Sequence, residues 1–65
     1  MDPYETVRML IDAYEDGDLE AVDELAGYLT SWVRKGGFKP ELSRADICRL
    51  LEAKPELSDC VKAVP

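Results

Sequence analysis

The chain contains no histidine, and that absence removes the commonest general acid and base at neutral pH. Cysteine is scarce too. Cys48 and Cys60 have no imidazole to activate them, form no CxxC pair, and cannot build a zinc site within one chain. No serine stands in a nucleophile-elbow sequence. Long apolar runs are also missing: the longest aliphatic stretch is Met9-Leu10-Ile11, far short of a membrane span. The N-terminus opens with Asp2 and Glu5 rather than the basic-then-apolar order of a signal peptide. These gaps lead us to expect a soluble, cytoplasmic, non-enzymatic protein with no cofactor and no metal. In a reducing compartment the two cysteines are expected to be small buried side chains rather than a disulfide.

What is present is a short, acidic, well-mixed composition. At 65 residues a lone core is only marginally stable, so association between chains is favoured from the outset. Apolar residues make up 46% and charged residues 34%, a balance that argues for a globular fold rather than disorder. The net charge of -6 is unevenly placed. Residues 1–33 carry nine acids against Arg8 alone, a net of -8, whereas residues 34–65 carry seven bases against five acids, a net of +2. Such polarity can draw one half onto the other or align chains head to tail, within a screening length of about 8 to 10 Å.

The apolar periodicity is helical throughout. Tyr4, Val7, Leu10, Ile11 and Tyr14 predict a first helix over residues 3–16, with Asp2 as N-cap and Pro3 at the first helical position. Gly17 suits a left-handed C-cap, and Asp18 can cap the next helix, so an antiparallel hairpin follows. Leu19, Val22, Leu25, Ala26, Leu29 and Val33 line the inner face of a second helix, flanked by Ala21, Tyr28 and Trp32. That wide apolar surface marks the second helix as the central element, with two neighbours. Gly36-Gly37 ends it, and Phe38-Lys39-Pro40 forms a linker whose aromatic can pin onto the core. Ser43 reads as the N-cap of a third helix, with Asp46 completing a weak capping box and Ile47, Leu50 and Leu51 facing inward. Pro55 breaks or kinks that helix, after which Leu57, Cys60, Val61 and Val64 predict a short fourth one. The expected fold is all-α, a single domain over residues 1–65: a small antiparallel helical hairpin packed by a third helix and a short C-terminal fourth. No strand pattern is visible.

Three stretches resemble known motifs locally. Asp12, Asp16, Gly17, Asp18 and Glu20 fall at EF-hand loop positions, but Tyr14 and Asp23 occupy positions that need a carboxylate or amide and a longer glutamate. A helix end, a glycine turn and a capping aspartate account for the same residues. Ser43, Ile47 and Leu51 are similar to the first helix of helix-turn-helix proteins, which implies a recognition helix within residues 43–64. Glu52 stands where that family places a turn glycine, and Glu56 and Asp59 oppose phosphate and base contacts. The Gly17-Asp18-Leu19 turn looks like those of helical-hairpin repeats, yet nothing later in the chain echoes it.

Two surfaces remain as candidates for function. Arg34, Lys35, Lys39, Arg44 and Arg49 lie within sixteen residues, interleaved with Trp32 and Phe38. Arginine and tryptophan are enriched at binding hot spots, although solvated cations at a helix end beside core aromatics are the simpler explanation of the pattern. The acids Asp12, Glu15, Asp16 and Asp18 could do acid–base work only inside a cleft, for which so small a domain has little room. The expected function is a protein-interaction or regulatory module that self-associates, as a homodimer, through the second helix. The candidate interaction surface is Met9, Tyr28, Trp32, Arg34, Lys35, Phe38 and Lys39. A nucleic-acid-associated regulator using residues 43–64, and an acidic inhibitor of a basic protein, are the alternatives. Membrane is not expected as a partner, and nucleic acid is not the expected one.

Overall fold

In the computed structural model, which describes residues 2–64, helix α1 (Pro3–Glu15) and helix α2 (Leu19–Arg34) form the expected hairpin. A two-residue strand β1 (Glu41–Leu42) leads into helix α3 (Arg44–Ala53). A 3-10 helix (Pro55–Cys60) and a second short strand β2 (Lys62–Ala63) follow.

Local chemistry sets the helix ends. The Asp2 carboxylate accepts from the Tyr4 amide at 2.8 Å, Asp18 from Ala21 at 3.2 Å, and the Ser43 hydroxyl from Asp46 at 3.3 Å, each satisfying an amide that the first turn leaves without a partner. Both hairpin helices end in a left-handed glycine: Gly17 with φ 77° and Gly36 with φ 95°. The following amides turn back, Asp18 to the Ala13 carbonyl and Gly37 to the Trp32 carbonyl, each at 2.9 Å. This pairing caps the terminal carbonyls and reverses the chain within three residues.

The two helices press Val7, Leu10 and Ile11 against Val22, Leu25, Ala26 and Leu29, and Leu42, Leu50, Leu57, Cys60 and Val61 close the core from the other side. Leu10 and Leu50 are completely buried. Helix α1, rather than α2, packs against both other α-helices; α2 has α1 and the 3-10 helix as its neighbours. The hairpin is also held to the C-terminal segment by an ion pair between Asp23 on α2 and Lys54 at the end of α3.

Several sequence-based expectations are corrected here. The expected short fourth helix is present after the break at Pro55, but over residues 55–60 it coils as a 3-10 helix, because Lys54 is extended ahead of Pro55 (φ -144°, ψ 89°) and six residues leave little room for bonds spanning four. Val61 is extended, so Val64 is exposed beyond β2 rather than facing inward from a helix. The strands themselves were not foreseen: β1 and β2 pair in parallel, Glu41 opposite Lys62 and Leu42 opposite Ala63. Two residues are too few to show alternation, and the pairing exists because α3 and the 3-10 helix bring the chain back to its starting edge. Leu19, placed on the inner face by periodicity, is 62% exposed, since α1 ends before it can cover that position. Tyr4 likewise lies at the rim of the core rather than within it. Cys48 is exposed on α3; only Cys60 is buried, and the two are not bonded to each other.

Candidate functional site

The C-terminal end of α2 carries a cluster of aromatic rings around a tightly held turn. Trp32, in the last turn of α2, donates from indole Nε1 to the Phe38 carbonyl at 2.9 Å, so the chain must fold back across the indole. Gly37 makes that return possible. A Cβ on Gly37 would collide with the indole ring and stand 2.6 Å from the Trp32 carbonyl oxygen. The Phe38 ring then meets Trp32 edge-on, with centroids 5.6 Å apart and an interplanar angle of 86°, and lies 6.0 Å from Tyr4 on α1. Tyr4 secures the far side of the linker, its hydroxyl accepting from the Glu41 amide at 3.2 Å.

Phe38 is therefore fixed at its backbone and on two sides of its ring, yet 54% exposed. The expectation that it would pin onto the core is corrected: it pins onto other aromatics, because Pro40 and Leu42 are the linker residues that reach the interior. Trp32 also lines a groove of 200 Å³ together with Tyr28, Ser31 and Lys35 of α2 and Pro3 and Thr6 of α1. Tyr28 is 59% exposed and also borders a broad open shelf with Glu24, Gly27, Ser31 and Lys35.

Among the seven residues singled out from the sequence, the fold brings Tyr28, Trp32 and Lys35 into one groove and sets Phe38 against Trp32. Arg34 and Lys39 are exposed beside them in the chain. Met9 is exposed on α1 and lines neither the groove nor the shelf. Tyr4 belongs to the cluster and was missed, since its helical spacing signals a core position and nothing in the sequence shows that the 38–41 segment returns to it.

The run of five cations is divided by the fold. Lys35 borders the Tyr28 groove, whereas Arg49 borders a separate cleft of 280 Å³ between α1 and α3. That cleft has Val7, Ile11 and Leu42 at its base, with Arg8 and Arg49 among Asp12, Glu15, Glu41 and Asp46. With two guanidinium groups among four carboxylates its lining is net acidic, which sets it apart from the aromatic end. The residues proposed as a recognition helix form the 3-10 helix and β2, so residues 43–64 contain one α-helix, not the two of a helix-turn-helix.

The aromatic end thus offers held apolar faces with the Lys35 ammonium beside Tyr28 and Trp32. Such a surface suits an apolar side chain accompanied by carboxylates. No family model, curated protein or solved structure matches the chain.

Proposed function

We propose that the protein is a non-catalytic protein-interaction module whose docking surface is the aromatic and cationic end formed by Tyr28, Trp32, Phe38 and Lys35, with Lys39 and Arg34 at its margin. The observation that carries this reading is Phe38, a large side chain left half-exposed although its backbone and neighbours are firmly held. An exposed ring that is already ordered loses little conformational freedom on binding, so more of its contact energy appears as affinity. The neighbouring cations select a segment bearing acids around an apolar residue.

A suitable probe is a short peptide with one leucine among aspartates and glutamates, titrated while the emission of Trp32, the only tryptophan, is recorded. Saturable binding with a Kd on the order of 0.1 to 1 mM is expected, weakened by salt and by Phe38→Ala. A basic peptide of the same length should not bind. Absence of any saturable change with the acidic peptide rejects the reading.

A second reading draws on the same aromatic and cationic groups, which are also the means by which proteins hold single-stranded nucleic acid. Its weakness is the overall charge of -6, which repels a polyanion outside this one end. Binding of a random oligonucleotide at low salt, in preference to the acidic peptide, is the result it requires.

A further inference from the structure

Resting on the docking surface proposed above, we infer that its occupant is a second copy of this chain, which presents the acidic tip of its own hairpin around Leu19. Leu19 is the most exposed large apolar side chain among the described residues. It projects from the first turn of α2, just after a turn that contains Asp16, Gly17 and Asp18, and exposed Glu15, Glu20 and Asp23 lie nearby in sequence. Arg8 is the only basic residue in residues 1–33, and Lys54, which approaches from the end of α3, is paired with Asp23 and leaves Glu15, Asp16, Asp18 and Glu20 to set the charge of the tip. One end of α2 thus shows an apolar side chain among carboxylates, and the other shows rigid aromatics with Arg34, Lys35 and Lys39. Each end supplies what the other lacks.

The two ends cannot meet within one molecule. Helix α2 has sixteen residues, a length of about 24 Å, and it separates Leu19 at its start from Lys35 just beyond its end. Nor can one contact between two copies be reciprocal. Leu19 and Tyr28 are nine residues apart, which at 3.6 residues per turn sets them about 180° apart around the helix. A neighbour lying antiparallel against one face of α2 can reach one of these patches but not both. The contact is therefore heterologous, leaving a free tip at one end of each pair and a free aromatic surface at the other. The assembly grows head to tail with concentration instead of closing as a two-fold dimer. Because charges at the contact are solvent-accessible, salt weakens it.

Sedimentation velocity of the full chain tests this, with circular dichroism as the control for folding. The wild-type average mass should rise beyond two chains as concentration approaches about 1 mM and fall back at high salt. Leu19→Asp removes the tip and the Lys35→Glu, Lys39→Glu double variant removes the cations, so each alone should remain at the mass of one chain. Mixed in equal amounts, they should give a complex of two chains and nothing larger, since only one tip and one intact docking end remain. A wild-type chain that stays monomeric at about 1 mM, or a Leu19→Asp variant that associates as strongly as wild type, overturns the inference. If the acidic leucine peptide still binds a monomeric wild-type chain, the docking surface survives and only the second copy is wrong. If single-stranded DNA binds and the peptide does not, both the inference and the reading beneath it fall.

Discussion

Gly37 and Trp32 are in contact so close that the glycine has no room for a side chain: a Cβ there would strike the indole and stand 2.6 Å from the Trp32 carbonyl oxygen. The return of the chain over the indole, and with it the position of Phe38, depends on that one missing carbon. Gly37→Ala is expected to destabilise the fold by about 1 to 3 kcal/mol, the usual cost of forcing extra volume into a packed site. Gly27→Ala makes the contrast, since a Cβ there meets nothing within 4 Å in the middle of α2. It should stabilise by about 0.5 to 1 kcal/mol through helix propensity alone. Thermal melts of the pair should move in opposite directions; an unchanged Gly37→Ala melt would show that the turn does not sit on the indole.

Leu50 is fully buried where α3 meets the rest of the core. Leu50→Ala is expected to cost about 2 to 5 kcal/mol, comparable to the whole margin of about 3 to 5 kcal/mol that a core of this size supplies. Urea titration followed by circular dichroism should find the variant largely unfolded before denaturant is added. A small shift in midpoint would mean that α3 is peripheral to the cooperative unit.

The thiols should separate by reactivity. Cys48 is exposed and Cys60 buried, so an excess of a maleimide reagent should modify Cys48 at the rate of an unstructured thiol. Cys60 must await opening of the core and should react about a hundredfold or more slowly. Mass spectrometry of a time course reads both rates, and equal rates would place β2 and the 3-10 helix outside the stable fold.

Lys54 titrates above its ordinary value of 10.5, chiefly because its ammonium donates a hydrogen bond to the Asp23 carboxylate. The folded chain holds this proton more tightly than the unfolded one, so the contribution is complete below pH 10.5 and disappears as pH rises through the higher folded value. Lys54→Met should therefore lower stability by a constant amount near neutrality, and the gap from wild type should narrow only above pH 10.5. A gap that already closes between pH 7 and 9 would show that the ion pair is not its source.

Much of the helical plan is written in neighbouring residues. Asp2, Asp18 and Ser43 cap, Gly17 and Gly36 terminate, and the 3.6-residue apolar spacing of Val7, Leu10 and Ile11 turns one face inward. These interactions close within four or five positions, so the chain specifies them before any helix finds its neighbour. The same periodicity misplaced Leu19 and Tyr4, because spacing reports which face a residue occupies and not whether another element extends far enough to cover it. The candidate surface was only partly legible: Tyr28, Trp32, Lys35 and Phe38 stood out by residue type, but Tyr4 joined them and Met9 and Arg49 were set apart.

From sequence alone came a helical hairpin, its turns, and the uneven charge that sets acids at its tip and cations at its other end. Folding alone decided that residues 41–42 and 62–63 pair, that Cys48 faces water, that Lys35 and Arg49 border separate clefts, and that Phe38 is fixed without being hidden. The difference is one of range. Caps and helix faces draw their energy from residues a turn apart, whereas each of the latter features requires segments distant in the chain to arrive at one place, as when the amide of Glu41 meets the hydroxyl of Tyr4.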